Sequence, residues 1–200
     1  MIFSKEWWEL WYKKDMCSGA GSRGKNAIRK INVINYLINA YNLHSILDLG
    51  CGELYWAKNL NIEKYEGIDI SDNVIKFAKT IKPEWRNNLK TMDICNYNTN
   101  STFDLVLLMD VLLHQPDEEM FNIILDKGIQ FSNKFVYFSA VGPEKNGSIY
   151  YSIEEYENEY KIYDFHLSPD RKLHFYLLDK YGTIKREEEI DEIRKIYMEE

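Results

Sequence analysis

One short stretch, residues 45–53, constrains the fold of this chain more than any other. Residues 45–49 are apolar enough to form a buried strand, and Gly50 and Gly52 then mark a tight turn. Four apolar residues at helical spacing predict a helix after the turn: Leu54, Trp56, Ala57 and Leu60. A strand, a glycine turn and a helix start bring backbone N–H groups close to a ligand. The stretch therefore predicts a nucleotide-type binding site.

A second strand signal at residues 65–70 carries an acid, Asp69, near its end. An acid at this place in an α/β unit is positioned to bind ribose hydroxyls. A dinucleotide site would need a third glycine where Tyr55 stands, and Asp48 would repel its diphosphate. S-adenosylmethionine carries an ammonium and a sulfonium, so charge attraction favours it instead. A glycine turn that binds no ligand is the alternative.

The residues at 48–54, Asp-Leu-Gly-Cys-Gly-Glu-Leu, resemble the first motif of class I S-adenosylmethionine-dependent methyltransferases, [DE]-x-G-x-G-x-G. The sequence departs from that motif at Leu54, which replaces the third glycine and is tolerable if the helix has already begun. The resemblance implies a Rossmann-like fold, S-adenosylmethionine as cofactor and S-adenosylhomocysteine as product. It also implies that the turn residues Gly50, Cys51 and Gly52 belong to the cofactor site, together with Asp48.

A third strand is expected at residues 89–94, where the resemblance implies contacts with the adenine ring. Asp93 would accept a hydrogen bond from the adenine amino group, with Met92 or Ile94 against the ring, and Ile70 would join Asp69 in the same site. The alternative for Asp93 is a turn or helix-cap acid, because three asparagines follow it in a loop.

Residues 103–110 give the clearest strand signal, a continuous apolar run typical of a parallel sheet that is buried on both faces. The run ends in D-V-L-L-H, which resembles the fourth motif of class I enzymes, often D-V-x-x-H in small-molecule O-methyltransferases. Asp110 is expected to contact the cofactor's amino group or the acceptor. His114 is the first candidate for a general base toward a hydroxyl acceptor, with a structural role in the loop as the alternative. His166 and His174 are weaker candidates.

Strand and helix signals alternate from residue 25 to residue 141, and two further strands are expected in the last quarter of the chain. Alternation of this kind predicts an α/β fold, and the resemblance extends it to a doubly wound, mostly parallel seven-stranded sheet. We expect one domain over residues 1–200. It would contain an N-terminal lid at 1–24, a cofactor-binding core at 25–141 and substrate-side elements at 142–200.

The N-terminal residues combine an aromatic cluster with a loop of small residues. Four aromatic side chains fit one helical face, although packing on the core is the simpler explanation: Trp7, Trp8, Trp11 and Tyr12. Residues 18–24 read SGAGSRG, a composition suited to wrapping an anion or cofactor with backbone N–H groups. Ser22 belongs to this loop, and Arg23 adds a forked donor for a carboxylate or phosphate. The arrangement resembles the N-terminal segment of some small bacterial and phage methyltransferases, which implies a lid over the cofactor; a flexible connector is the alternative.

Charge and composition limit the acceptor and the location. The formal net charge of −7 argues against broad nucleic-acid binding, and no run of [DNS]-P-P-[YFW], typical of nucleic-acid amino methyltransferases, is present. Residues 1–30 nevertheless hold seven Lys or Arg against three Asp or Glu, a balance that favours an anionic acceptor. The sequence has neither a membrane-length apolar run nor a signal peptide, and three cysteines without metal-ligand spacing predict free thiols in the cytoplasm.

The sequence analysis therefore predicts a cytoplasmic enzyme that methylates the oxygen of a small-molecule or saccharide-type acceptor, phosphorylated or nucleotide-linked. No metal is expected, because no His or carboxylate cluster has ligand spacing. RNA or protein methylation is the alternative among enzymes. A catalytically silent module that binds S-adenosylmethionine and regulates a partner is the alternative outside them.

Overall fold

The computed structural model describes residues 4–142, 150–166 and 173–198. Seven strands form one sheet: β1 (Ser45–Leu49), β2 (Lys64–Asp69), β3 (Leu89–Thr91), β4 (Phe103–Leu108), β5 (Ser132–Val141), β6 (Lys161–His166) and β7 (Leu173–Asp179). Six α-helices are described with it: α1 (Lys5–Asp15), α2 (Gly24–Tyr41), α3 (Asp72–Ile81), α4 (Glu118–Phe131), α5 (Glu154–Glu157) and α6 (Glu187–Met198).

The strand order is β3-β2-β1-β4-β5-β7-β6. The first five strands of this order pair in parallel, whereas β7 pairs antiparallel with both β5 and β6. This arrangement confirms the predicted doubly wound, mostly parallel seven-stranded sheet. Chain order reverses between β1 and β4, and a crevice at the carboxyl ends of the strands beside such a reversal is where open α/β sheets bind ligands.

Both faces of the sheet are covered, which is why β4 can be apolar at nearly every position. One face packs against α2, α3 and α6, and the opposite face packs against α4. All of β4 except Asp104 is buried, with side chains such as Leu105 and Val106 fully inaccessible. A strand buried on both faces does not need the alternation of a half-exposed strand. The sheet is therefore a rigid base for the residues that follow its strands.

The prediction of a helix directly after the first glycine turn is wrong. Residues 50–63 contain a single three-residue 3-10 turn, Ala57–Asn59. Left-handed φ angles at Gly50, Gly52 and Leu54, of 87°, 55° and 58°, prevent an α-helix from starting before residue 55. The apolar spacing that suggested the helix reports burial instead, because Leu54, Trp56, Ala57 and Leu60 are all in the core. Leu54 thus occupies a left-handed position that the family motif gives to glycine.

Other local predictions are corrected at the level of single residues. The sequence predicts Pro116 at the first position of the helix after β4. In the structure α4 begins at Glu118, and the carboxylate of Asp117 caps it by accepting the Met120 N–H at 2.9 Å. The helical spacing of Val74, Ile75, Phe77 and Ala78 predicts that all four point inward from α3, but Phe77 is 36% exposed. No helix in the described ranges is long and apolar enough to cross a membrane.

Candidate active site

A cavity of about 420 Å³ lies at the carboxyl ends of β1, β2 and β4, beneath helix α1. Four strand ends or the loops after them contribute residues to its lining, so the cavity occupies the crevice that the topology predicts. Predicted site residues that line it are Gly50, Cys51, Asp69, Ile70, Asp93, Ile94, Asp110, Ser22 and His114. Residues predicted for the site that are not part of this lining are Asp48, Gly52, Met92 and Arg23.

Asp69, the last residue of β2, is fixed by two backbone donors. Its Oδ2 accepts the Gly52 N–H at 3.1 Å and its Oδ1 accepts the Ser71 N–H at 3.0 Å. Burial raises the pKa of Asp69 to about 6, and the two N–H donors act in the opposite direction. Each carboxylate oxygen has a second lone pair, so Asp69 can still accept hydrogen bonds from ligand hydroxyls in the cavity.

Asp93 follows β3, which is shorter than predicted and ends at Thr91. The carboxylate of Asp93 accepts the Cys95 N–H at 2.9 Å and caps the 3-10 turn Ile94–Asn96. The helix-cap alternative for this acid is therefore correct, and the residue lines the cavity as well. Ile94 lies beside it in the lining, whereas Met92 packs against the core on the α4 side of the sheet.

The glycine turn is held against the neighbouring elements by close contacts. The N–H groups of Gly50 and Cys51 both donate to the carbonyl of Ile68, at 2.8 and 2.9 Å. A β-carbon at Gly50 would collide with the Val111 side chain, and one at Gly52 would collide with the Ser18 hydroxyl. Both positions combine a left-handed φ with no room for a side chain, and glycine is the residue that suits both conditions.

Asp48 is buried in the middle of the sheet and does not reach the cavity lining. The hydroxyl of Tyr65 donates to its Oδ2 at 2.6 Å, and its Oδ1 has no hydrogen-bond partner in the described structure. Burial raises the pKa of Asp48 to about 7, partly offset by the hydrogen bond from Tyr65. The carboxylate therefore makes no contact with a ligand in the cavity and acts on one only through its charge.

Glu53, in the first motif, binds the N-terminal loop and was missed as a site residue. Its carboxylate accepts hydrogen bonds from both the N–H, at 3.0 Å, and the hydroxyl of Ser18. The guanidinium of Arg23 lies 2.5 Å from the other carboxylate oxygen and 3.8 Å from the centre of the Tyr55 ring. Arg23, predicted to bind an anionic group of a ligand, is thus paired with a carboxylate of the protein itself.

Asp110, after β4, connects three parts of the chain. The buried ammonium of Lys30 in α2 lies 2.6 Å from its Oδ2 and also donates to the Gly21 carbonyl at 3.0 Å. Ser22 donates to the same oxygen at 3.3 Å, and the hydroxyl of Ser139 in β5 approaches the other oxygen at 3.3 Å. A buried lysine with a carboxylate partner is a satisfied ion pair, so Lys30 fixes both Asp110 and the loop of residues 18–24.

His114 ends the 3-10 turn Leu112–His114 and borders the cavity next to Asp110. Burial lowers the pKa of its imidazole, and the nearby carboxylate of Asp110 opposes this shift without reversing it. The ring packs edge-on against Trp8, with 5.3 Å between ring centres. His114 is therefore a neutral imidazole at pH 7, able to accept a proton at the wall of the cavity.

Helix α1 closes the cavity from above. Ser4, Lys5, Trp8 and Tyr12 belong to the lining. The helix is attached to the start of α3 through Glu9, whose carboxylate accepts the Asp72 N–H at 2.6 Å, the Asn73 N–H at 3.3 Å and the Ser71 hydroxyl at 3.0 Å. A carboxylate at a helix N-terminus satisfies free donors and interacts favourably with the helix dipole.

A second cavity, of about 570 Å³, lies on the other side of Trp8 and His114. Its walls come from α1, from the loop of residues 18–21 and from the ends of β5 and β7, where Val141 and Leu173 are. Ser18, Asp110, Trp8 and His114 line both cavities. The two cavities therefore share a boundary formed by these four side chains. No group of three or more potential metal ligands is found in the described parts of the chain.

Comparisons with known proteins agree with this geometry. Residues 46–126, less than half of the chain, match the sequence profile of a family described as "Methyltransferase domain". This range begins in β1 and ends within α4, so it contains the glycine turn, Asp69, Asp93, Asp110 and His114. A comparison with curated protein sequences finds no match.

Solved methyltransferase structures share the whole architecture at low sequence identity. The N-methyltransferase NodS from Bradyrhizobium japonicum, in complex with S-adenosylhomocysteine, has a TM-score of 0.68 at 13% identity over 87% of this chain and 98% of its own. An S-adenosylmethionine-dependent methyltransferase from Clostridium acetobutylicum has a TM-score of 0.64 at 14% identity, covering 88% of this chain and 98% of its own.

A third structure, magnesium protoporphyrin IX methyltransferase from Synechocystis with bound S-adenosylmethionine, has a TM-score of 0.62 at 15% identity. The match covers 88% of this chain and 95% of that one. The chain therefore has the Rossmann-like methyltransferase fold. At these identities the likeness shows the fold, and the acceptor has to be argued from the site.

Proposed function

We propose that this protein is an S-adenosylmethionine-dependent methyltransferase whose cofactor occupies the cavity beneath α1. One observation carries the proposal: two carboxylates, Asp69 and Asp93, line this cavity at the ends of β2 and β3. They lie at the places where ribose hydroxyls and an adenine amino group would be bound. The methyltransferase-domain match over the same residues supports it.

The chemistry of the lining fits S-adenosylmethionine better than a dinucleotide. A diphosphate would be bound at the N-terminus of a helix after β1, and residues 50–63 form no α-helix there. Among the described lining residues, Asp69, Asp93 and Asp110 are acidic, whereas the only Lys or Arg is Lys5. The ammonium of Lys30 offsets the charge of Asp110, which leaves Asp69 and Asp93. An excess of carboxylates attracts a ligand that carries an ammonium and a sulfonium. A volume of about 420 Å³ lies within the usual range for cofactor sites.

When bound, S-adenosylmethionine supplies an activated methyl group: the acceptor oxygen bonds to the methyl carbon, the methyl–sulfur bond breaks, and its electron pair stays on sulfur. The chain's own contribution is alignment of the acceptor and removal of its proton. His114 takes the hydroxyl proton onto its neutral imidazole. Asp110, held by Lys30 and Ser22, stabilises the resulting imidazolium by its charge. Helix α1 excludes water from the cavity.

The acceptor that we propose is a small molecule methylated on oxygen. The similar structures include an N-methyltransferase and a magnesium protoporphyrin IX methyltransferase, so the fold leaves the acceptor open. A phosphorylated or saccharide-type acceptor is less well supported than the sequence alone suggests, because Arg23 is paired with Glu53 and Lys30 with Asp110. The acidic net charge continues to argue against nucleic acid, and a cytoplasmic location remains a prediction.

Calorimetric titration with S-adenosylhomocysteine tests the proposal directly. We expect saturable binding with a Kd on the order of 10 µM or tighter. No binding to the folded protein at several hundred micromolar ligand, a few tens of Kd, would refute the proposal. Incubation of the protein and cell extract with methyl-labelled S-adenosylmethionine then identifies the acceptor from the labelled product.

His114→Ala distinguishes an enzyme from a silent binding module. In an enzyme with His114 as base, the variant binds S-adenosylhomocysteine within about twofold of the unchanged protein but transfers methyl groups at least 100-fold more slowly. In the unchanged protein, transfer should fall as the pH drops through the lowered pKa of His114, whereas the variant should lack this step. A silent module would label no acceptor in any extract, and this would hold for the unchanged protein as well as for His114→Ala.

A further inference from the structure

The second cavity has an unusual lining for a small-molecule site. Three indole side chains from α1, Trp7, Trp8 and Trp11, take part in it, together with Leu113 and the strand-end residues Val141 and Leu173. Trp7 and Trp11 stack with ring centres 5.1 Å apart and planes 13° from parallel. This stacked pair, with Trp8 edge-on to Trp7 at 88°, leaves outer ring faces and edges as an aromatic surface, and such a surface binds planar apolar rings well.

The charges that border this cavity cancel. Asp110 is the one carboxylate in the described lining, and the ammonium of Lys30 neutralises it at 2.6 Å. His114 is the one other ionisable side chain in that lining, and burial keeps its imidazole neutral. The described part of the lining therefore carries no net charge and gives no net attraction to a phosphate or to an ammonium. Desolvation would oppose the entry of either.

Polar partners for a saccharide are also few. Apart from Asp110 and His114, the only side chain with a polar oxygen in the described lining is Ser18. The Ser18 hydroxyl is already engaged, since it donates to Glu53 and lies 3.1 Å from the Tyr12 hydroxyl. The indole N–H groups of the three tryptophans are the other polar side-chain groups of the described lining, and that of Trp11 donates to the Cys17 carbonyl at 2.6 Å. A sugar would therefore have more hydroxyls than the described side chains can pair, at a cost of about 1–3 kcal/mol for each one left unpaired.

We propose that the second cavity is the acceptor site and that its acceptor is an uncharged molecule with a flat aromatic or heteroaromatic ring that carries a hydroxyl. The ring lies along the indoles of Trp7 and Trp11, and the hydroxyl points to His114 and Asp110, where the cavity meets the cofactor cavity. This inference rests on the proposed function, and it narrows the acceptor from any small molecule to a ring of this chemistry.

Three probes of related shape test the inference in the presence of saturating S-adenosylhomocysteine. They are 2-naphthol, its saturated counterpart decahydro-2-naphthol, and glucose 6-phosphate. Calorimetry should give 2-naphthol a Kd on the order of 100 µM. We expect that value to be at least tenfold lower than the Kd of decahydro-2-naphthol, with no measurable heat from glucose 6-phosphate.

Trp11→Leu removes one flat ring and keeps an apolar side chain, so it should weaken 2-naphthol binding at least fivefold and leave decahydro-2-naphthol unchanged. Leu10→Ala is the matched control, because Leu10 lies on the same helix, is 68% exposed and is not part of either lining. Unchanged affinity for S-adenosylhomocysteine in both variants shows that α1 still covers the cofactor cavity.

Four results would overturn the inference: equal affinity for the aromatic and saturated alcohols, no binding of 2-naphthol, binding of glucose 6-phosphate, or an equal loss in the Leu10→Ala control. The titration with S-adenosylhomocysteine is read first. Failure at that step refutes the proposed function and the inference that rests on it. Cofactor binding without preference for the aromatic alcohol refutes the inference alone.

Discussion

The strand-end side of the cofactor cavity consists of loops that continue the strands of the sheet, whereas the N-terminal segment that covers it, residues 4–23, is docked on those loops from outside the sheet. On the strand-end side, the acids are fixed by backbone donors of neighbouring loops: Gly52 and Ser71 donate to Asp69, and Cys95 donates to Asp93. The N-terminal segment is docked through two carboxylates: Glu9 accepts backbone N–H groups at the start of α3, and Glu53 accepts the Ser18 N–H and pairs with Arg23.

This difference separates a permanent surface from one that can open. Backbone donors of the strand-end loops move only if the sheet itself changes, and the sheet is buried on both faces. The contact of Glu9 in α1 joins a partly exposed carboxylate to the start of α3 and contributes on the order of 1 kcal/mol, whereas the contacts of the loop involve the buried side chains of Glu53 and Lys30. A cofactor in the proposed site beneath α1 would therefore enter and leave by release of the N-terminal segment, while the strand-end acids keep their geometry. Four predictions test this division.

The largest effect is expected at Lys30, which joins the two regions through Asp110 and the Gly21 carbonyl. Lys30→Met keeps the length of the side chain but leaves a half-buried carboxylate without its cation. We expect the free energy of unfolding to fall by about 3–5 kcal/mol, measured by denaturant titration. Lys25→Met, at an exposed position of the same helix, is the control and should change it by less than about 0.5 kcal/mol. A comparable loss in both variants would contradict the role assigned to Lys30.

The second prediction concerns Asp48, whose pKa is raised to about 7 by burial. The folded state holds this proton more tightly than the unfolded chain, so Asp48 makes stability fall as the pH rises from about 4 to 7. Asp48→Asn removes that fall. A shift of about three units is worth about 4 kcal/mol, and an amide N–H without an acceptor costs about 2 kcal/mol.

The Asp48→Asn variant should therefore unfold with a free energy on the order of 2 kcal/mol higher than the unchanged protein at pH 8, and not higher at pH 4. Denaturant titrations of both proteins between pH 4 and pH 8 measure this difference. His114 also titrates in this interval, but it contributes equally to both proteins and cancels in the comparison. The charge of Asp69 helps to raise the pKa of Asp48, so the Asp48→Asn variant also loses this repulsion, which adds to the difference at high pH. A stability difference that does not grow with pH would show that Asp48 is ionised at little cost.

The strand-end side could be predicted from sequence because each of its residues follows a recognisable strand. Asp69 and Asp110 come directly after apolar runs, and parallel strands bring their carboxyl ends to one edge of the sheet. The apolar spacing after Gly52 predicts a helix that the structure does not have. Buried irregular chain can show the same spacing, and the left-handed backbone at Leu54 carries no distinct sequence signal.

The contacts of the N-terminal segment could not be predicted in the same way, because they join residues far apart in sequence. The contacts of this segment join common polar residues, such as Glu9 with Asp72 and Ser18 with Glu53. Nothing in the local sequence of either residue of a pair selects its partner. Lys30 is the exception. It lies on the apolar stripe of α2, three residues after Ala27 and four before Ile34, and a charge at such a position implies a buried partner.

The third prediction tests the strand-end side through the cofactor. The carboxylate of Asp69 accepts hydrogen bonds from two backbone N–H groups. In Asp69→Asn the side-chain NH₂ group faces one of these donors, and one acceptor for ligand hydroxyls is lost. Affinity for S-adenosylhomocysteine should fall at least tenfold, about 1.4 kcal/mol, by calorimetry. Asp117→Asn makes the same change at the N-cap of α4, outside the cavity lining, where asparagine caps equally well. Equal affinity in the two variants would remove Asp69 from the cofactor site.

The smallest effect is expected at Glu9, and it falls on rates more than on equilibria. Glu9→Gln keeps the size of the side chain but removes the negative charge that faces the first N–H groups of α3, a loss of about 1 kcal/mol. Because this contact holds α1 over the cavity, S-adenosylhomocysteine should dissociate about fivefold faster in stopped-flow displacement, with the stability of the sheet unchanged. Glu6→Gln, one turn earlier and exposed, is the matched control and should leave the rate as it is. A dissociation rate that is the same in all three proteins would mean that the cofactor leaves without opening of the N-terminal segment. The contrast between a fixed strand-end side and an N-terminal segment that opens would then no longer hold.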